Sequence, residues 1–305
     1  MSESLAFHSV DVFTGKRFAG NPLAIVEGAD RLTVAQMQTI AREFNLSETI
    51  FVQRADDSSH TAKVRIFFPT AEIPFAGHPT VGCAIHLAEL AHPGNGDFET
   101  EITLEEVAGL VPVKVWRKDG KCRAQFTAPV VPFAGAGRVP DVAMAASALG
   151  LASGEIGFGA HRVRQWQGGP TFLFVPIQSR RALAEARPCE PGWSAMMNFA
   201  GVHNAYLYTR GGDNAATSYR ARMFAPTAGT PEDPATGSAS ALLAAQLLAA
   251  GEMKEGTNTF RLEQGYEMGR PSDIEMQADV ASNKLTAVRI AGSSVKVSSG
   301  NIAIT

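Results

Sequence analysis

Arg65-Ile66-Phe67-Phe68-Pro69-Thr70-Ala71 and Arg222-Met223-Phe224-Ala225-Pro226-Thr227-Ala228 agree at five of seven positions, 157 residues apart. Pro74 and Pro231 keep that offset. His78-Pro79-Thr80-Val81-Gly82-Cys83-Ala84 then aligns with Asp233-Pro234-Ala235-Thr236-Gly237-Ser238-Ala239 at an offset of 155, and both run into alanine- and leucine-rich stretches. Upstream, the apolar pattern of residues 44–52 returns at 199–207, again 155 residues later. Three colinear matches at nearly one offset indicate an internal duplication. The chain therefore reads as two lobes of one design, expected at 1–128 (completed by a C-terminal strand, 294–305) and 129–293.

The local signals agree with two β-rich lobes. Short runs of β-branched and aromatic residues at 23–26, 50–52, 64–68, 111–116, 171–177, 205–208 and 285–290 are closely spaced and bounded by Gly, Pro and Asp. Helices are fewer, expected over 34–44, 79–90, 140–149 and 234–250. The first of these carries a capping box, Thr33 with Gln36. Many strands around a few long apolar helices give an α+β class, each lobe a curled, mostly antiparallel sheet around one central helix.

Composition narrows the function. With 45% hydrophobic and 19% charged residues the 305-residue chain can build a full core, which excludes disorder and fibrous classes. A formal charge of −3 offers no basic face for phosphates, so nucleic acid is not an expected partner. The most apolar run, 239–250, is interrupted by Gln246 and is shorter than the roughly 20 residues of a membrane span, so no membrane partner is expected either. MSESLAFHSVDVF lacks the basic and apolar regions of a secretory signal, and three scattered cysteines suggest no disulfide framework. A cytoplasmic protein is the expectation.

No strand-GxGxxG-helix unit, phosphate-binding loop, HExxH helix or GxSxG elbow is present. The seven histidines (8, 60, 78, 86, 92, 161, 203) show no metal-ligand spacing. The chemistry is expected to use no metal and no cofactor. What remains is a pair of helix starts. Proline is at home in the first helical turn, so Pro79 and Pro234 place His78 and Asp233 at two N-caps. Aspartate caps well; histidine does not, which leaves His78 in want of another reason. Free amides at a helix start attract anions, and Gly77, Gly82 and Gly237 would let a ligand approach the backbone, with Ser238 adding a hydroxyl. A small carboxylate is the natural occupant.

Residues 11–26 (DVFTGKRFAGNPLAIV), 45–52 (NLSETIFV), 67–84 (FFPTAEIPFAGHPTVGCA) and 225–240 (APTAGTPEDPATGSAS) resemble the PhzF-like family of phenazine-biosynthesis isomerases. The resemblance runs through both lobes. It implies the diaminopimelate-epimerase fold, an active site in the cleft between the lobes, a homodimer, and isomerisation of trans-2,3-dihydro-3-hydroxyanthranilate by proton transfer without metal or cofactor. It also implies roles: Glu48 moves the proton, His78 and Asp233 share the catalytic work, and Asn21, Ser47, Gly77, Gly237 and Ser238 bind substrate. The epimerases of this architecture resemble a two-thiol design, whereas Cys83 here pairs across the repeat with Ser238.

In a closed apolar cleft Glu48 would be shifted toward neutrality, suited to accept and return a proton at the two ends of a 1,3 shift. The alternatives are a racemase or epimerase using Glu48 with Cys83 or with His203, the repeat counterpart of Glu48, and a non-catalytic carboxylate-binding protein.

Overall fold

The computed structural model describes residues 4–304, so residues 1–3 and 305 of the expected first lobe lie outside it. Two compact units emerge, one of residues up to Thr127 together with those from Ala291 onward, the other of Ala128–Ile290.

In the first unit β1 (Ser4–Val12) pairs antiparallel with β2 (Asn21–Val26). β2 lies parallel to β3 (Glu48–Gln53), and a parallel neighbour requires a crossover, supplied by α1 (Val34–Phe44). The Thr33–Gln36 capping box forms, with Gln36 N–H donating to Thr33 Oγ1 at 3.3 Å and Thr33 N–H to Gln36 Oε1 at 2.9 Å. β3 pairs antiparallel with β4 (Ala62–Phe67), which pairs antiparallel with β5 (Glu72–Ile73) and parallel with β6 (Phe98–Glu106). Between β5 and β6 runs α2 (Gly77–Ala91), followed after β6 by the meander β7 (Gly109–Lys118) and β8 (Lys121–Thr127).

The second unit adds β9 (Phe133–Ala134) and α3 (Val142–Leu149) and then repeats the scheme. β10 (Arg164–Gln167) is antiparallel to β11 (Thr171–Pro176), and β11 is parallel to β12 (Asn204–Arg210). The crossover here is α4 (Arg180–Glu185) and α5 (Gly192–Ala200). β12 is antiparallel to β13 (Tyr219–Ala225), and β13 is antiparallel to β14 (Thr230–Asp233) and parallel to β15 (Gly256–Gln264). α6 (Gly237–Ala249) fills the place of α2, and β16 (Ser272–Ala281) that of β7. Finally β17 (Lys284–Ala303) starts in the second unit and ends in the first, where it pairs with β1.

One ion pair marks the duplication at atomic level. Arg65 grips Glu72 with two bonds of 2.7 and 2.6 Å across β4 and β5, and Arg222 grips Glu232 with two of 2.8 Å across β13 and β14. Arg222 does more, because its third nitrogen also donates to the Leu183, Ala184 and Ala186 carbonyls that α4 leaves unpaired at its end.

Both central helices are buried nearly all round. Gly82 explains how α2 gets close enough: a Cβ there would sit 2.7 Å from both Leu23 and Val12 side chains of the sheet. Its bareness serves helix-on-sheet packing rather than the ligand approach expected of it. Gln246, the polar break in α6, is buried with its amide donating to Tyr208 Oη at 2.9 Å and the Arg162 carbonyl at 2.8 Å, while Trp166 donates to its oxygen at 2.6 Å. No helix among the described residues is long and apolar enough to cross a membrane.

Three sequence expectations shift. α3 begins at Val142 rather than Pro140, because Asp141 caps it, accepting from Met144 N–H at 2.8 Å. α5 lies in a proline-rich stretch that gave no helical signal, and its apolar side chains Trp193, Met196 and Met197 form part of the second unit's core. The strand expected at 285–290 and the one expected to begin at 294 merge into β17, which ends at Ala303.

Candidate active site

Glu48 is put in place by the end of α1. Asn45 takes the left-handed conformation (φ 50°), its N–H closes on the Ala41 carbonyl, and the chain turns through half-buried Ser47 into β3. Glu48 is the first residue of β3, opposite Leu23 in the parallel pair, and is only 8% exposed. Asn21, the first residue of β2 and fully buried, follows Gly20, whose φ of +65° and close approach to the Val12 carbonyl exclude any side chain.

His78 differs from expectation in its position. α2 starts at Gly77 with Ala76 as N-cap, so His78 is the second helical residue and Pro79 the third. Proline fits there because first-turn amides have no intrahelical acceptor. Asp233 likewise is no N-cap: it ends β14, and α6 starts at Gly237 behind Thr236. The chain is longer between β13 and the end of β14 than between β4 and the end of β5, which changes the repeat register, so the helix-start counterparts are Gly77 with Gly237 and His78 with Ser238. Cys83 falls inside α2, fully buried, where burial and the nearby Glu106 and Glu27 charges push its thiol up. The symmetric thiol pair is thus absent for a reason other than the Cys83–Ser238 alignment: neither helix start carries a cysteine. His203 lies exposed just ahead of β12.

In the first unit β3 and α2 bring Glu48 and His78 together, with Glu48 Oε2 3.4 Å from His78 Nε2. His78 is 3% exposed, and burial pushes its pKa down to about 3, against an opposing hydrogen bond to the Pro22 backbone. Proline has no N–H, so the ring donates to the Pro22 carbonyl. Because Nε2 has no hydrogen-bond partner, the donor is Nδ1. A neutral ring protonated at Nδ1 turns a lone pair toward Glu48, so the contact is no ion pair despite its distance. An imidazole nitrogen and a carboxylate oxygen thus face each other at 3.4 Å.

A further carboxyl, beneath α2, carries no sequence signature. Glu106, at the end of β6, is 8% exposed, and burial raises its pKa to about 8. Thr80 Oγ1 stands 2.7 Å from Glu106 Oε1 and 2.7 Å from the Ala76 carbonyl. One hydroxyl proton cannot serve two acceptors. A protonated Glu106 donating to Thr80, with Thr80 donating to Ala76, satisfies both and ties down the first turn of α2.

In the second unit Asp233 is 6% exposed and accepts from Thr236 Oγ1 at 2.5 Å. Gln264 of β15 donates to Thr236 Oγ1 at 2.9 Å and to the Asp233 carbonyl at 2.8 Å, and accepts from Thr236 N–H at 3.1 Å. Gly265, left-handed at φ +76°, passes so close to Pro234 that a Cβ would lie 2.6 Å from its carbonyl oxygen. Thr236 and Gln264 are invisible as site residues in the sequence, since no spacing links them. Ser238 is half-buried and Gly237 buried.

The chain is similar to known proteins along nearly its whole length. The family described as phenazine biosynthesis-like protein matches residues 10–300. An uncharacterized isomerase of Mesorhizobium japonicum is 42% identical over 298 residues, covering 96% of this chain and 97% of that protein. A trans-2,3-dihydro-3-hydroxyanthranilate isomerase of Pseudomonas chlororaphis is 34% identical over 296 residues, covering 97% and 98%. A crystal structure of a Bacillus anthracis phenazine biosynthesis protein of the PhzF family superposes with a TM-score of 0.86 over 99% of this chain and all of that one, at 24% identity, which speaks for the fold. A hydroxyproline epimerase from Agrobacterium vitis shares the fold at a TM-score of 0.65 and 17% identity, covering 98% and 91%.

Proposed function

The chain belongs to the phenazine biosynthesis-like family and is an isomerase, and we propose that it shifts a proton within a small carboxylate-bearing substrate of the trans-2,3-dihydro-3-hydroxyanthranilate type, with Glu48 as the proton carrier. The observation that carries this reading is the buried pair of Glu48 Oε2 and neutral His78 Nε2, 3.4 Å apart.

Glu48 in its ionised form removes the proton from carbon and returns it elsewhere on the same molecule, so one base serves both half-reactions. His78 cannot become cationic cheaply, and its role is to orient the carboxylate and accept a hydrogen bond from the substrate or from protonated Glu48. The first-turn amides of α2 and the buried Asn21 side chain provide donors for a carboxylate or for negative charge that develops on proton removal. Ser47, Gly77, Gly237 and Ser238 keep the substrate-contact roles that the resemblance implies, and Asp233 keeps its share of the catalytic work. The chemistry asks for no redox or electron-sink group, and three free cysteines fit a reducing, cytoplasmic setting.

Incubation with trans-2,3-dihydro-3-hydroxyanthranilate in D₂O, followed by mass spectrometry and chiral chromatography, tests the reading. Product that carries one deuterium at a new carbon supports it. Deuterium uptake with inversion at the original carbon would make the protein an epimerase. Absence of both would remove this substrate.

A further inference from the structure

We propose that His8, Glu27 and His86 form a binding site for one divalent transition-metal ion of the zinc class, separate from the Glu48–His78 pair. The three come from different elements of the first unit: His8 from β1, Glu27 from the residue that follows β2, and His86 from α2. Their offered atoms all lie within 4.8 Å of one another. His8 Nε2 is 2.9 Å and His86 Nε2 2.7 Å from the same oxygen, Glu27 Oε1, and the two rings are tilted against each other with centroids 4.4 Å apart.

Two imidazoles and one carboxylate make a donor set that suits zinc, nickel or copper and is poor for calcium or magnesium, which seek oxygen alone. Tetrahedral bonds of about 2.0–2.1 Å require ligand atoms about 3.3 Å apart. The present gaps widen to that by about half an ångström if the Glu27 side chain swings, and at one-third exposure it has the freedom to do so. The strands and the helix hold the rings in place: Glu27 N–H bonds the Ala6 carbonyl at 2.9 Å, and His86 is 8% exposed on the central helix.

The exposed side of Glu27 leaves a fourth position to water. His86 lies eight residues beyond His78 on α2, about 12 Å along the helix axis. The ion is therefore no part of the proton-transfer pair; it clamps β1, the end of β2 and α2 together. Sequence spacing hides the site because its ligands are 19 and 59 residues apart on three elements.

The experiment uses full-length protein without a histidine tag, stripped with chelator and titrated with Zn²⁺ by calorimetry and with Co²⁺ by visible absorption. One ion per chain at micromolar affinity or tighter, intense Co²⁺ bands of tetrahedral coordination, and a rise in Tm on adding Zn²⁺ are expected. Glu27→Gln, a change at a partly exposed side chain, is expected to weaken binding tenfold or more, and His8→Asn and His86→Asn to abolish it while Glu48→Gln binds normally. Circular dichroism of each apo variant verifies its fold. Absence of Zn²⁺ binding by the unmodified protein, or binding unchanged in a folded Glu27→Gln variant and a folded His8→Asn variant, overturns the proposal.

Discussion

The starts of α2 and α6 occupy the same place in two copies of one topology, yet their polar groups are treated in opposite ways. At α6, Asp233, Thr236 and Gln264 exchange short hydrogen bonds among themselves. At α2, His78 Nε2 is buried without a hydrogen-bond partner and faces Glu48 at 3.4 Å. A satisfied network specifies a conformation, whereas a buried lone pair left without a donor stores affinity for something that will complete it. The duplication thus separates two tasks that a single site has to reconcile: one copy keeps rigid geometry, the other keeps an imidazole under-bonded beside a carboxylate.

Breaking the reactive copy gives the largest effect. Glu48→Gln keeps size and hydrogen bonding but cannot carry the proton, so kcat falls about 10²–10⁴-fold while a bound, unreactive substrate analogue keeps its Kd. Steady-state kinetics beside a calorimetric titration checks both halves. The duplicated ion pairs sharpen the contrast next. Arg222 and Glu232 are 9% and 15% exposed, and Arg222 also closes the end of α4. Arg222→Ala is expected to cost about 1–3 kcal/mol in urea unfolding because it leaves a half-buried carboxylate and the carbonyls at the end of α4 without their donor. Arg65→Ala, at a pair 22% and 25% exposed, should cost about 1 kcal/mol or less.

Thr236→Val tests the satisfied network. It removes the hydroxyl that links Asp233 to Gln264, and a loss of about 1–3 kcal/mol in thermal unfolding is expected, with kcat reduced less than in Glu48→Gln. The smallest effect is a pH dependence. The fold raises Glu106 from 4.5 to about 8, so it retains a proton the unfolded chain has lost. That contribution is full below about pH 4.5 and disappears as pH rises through about 8. Glu106→Gln, neutral at every pH, should therefore gain in Tm relative to the unmodified protein at pH 8 compared with pH 5.

Much of the fold is legible in the amino-acid sequence. The Arg-x-Phe-x-Pro-Thr-Ala repeat marks equivalent strands because a strand pair and the turn beyond it need fixed residues in fixed order. The α1 capping box and the central, buried α6 follow from local rules. The helix starts do not. Pro79 does fall in the first turn of α2, but Pro234 lies three residues ahead of α6, and the helix starts pair at an offset of 160 rather than 155, which displaces the Asp233 alignment by five residues. Thr236, Gln264 and Glu106 are hidden for another reason: each acts through a partner on a different strand or helix, and no local pattern encodes such a distance. Glu48 is recognisable only by resemblance, since a lone glutamate ahead of a strand is usually a solvated one.

The protonation state of His78 is the most direct test. Protein labelled with ¹⁵N-histidine, compared with a His78→Asn variant for assignment, reports the protonation of both ring nitrogens across pH 8 to 5. A neutral ring protonated at Nδ1 throughout, with Nε2 unprotonated, is the expected result. An imidazolium signal that titrates near the ordinary histidine value would make Glu48 and His78 a plain ion pair and contradict the neutral-imidazole site.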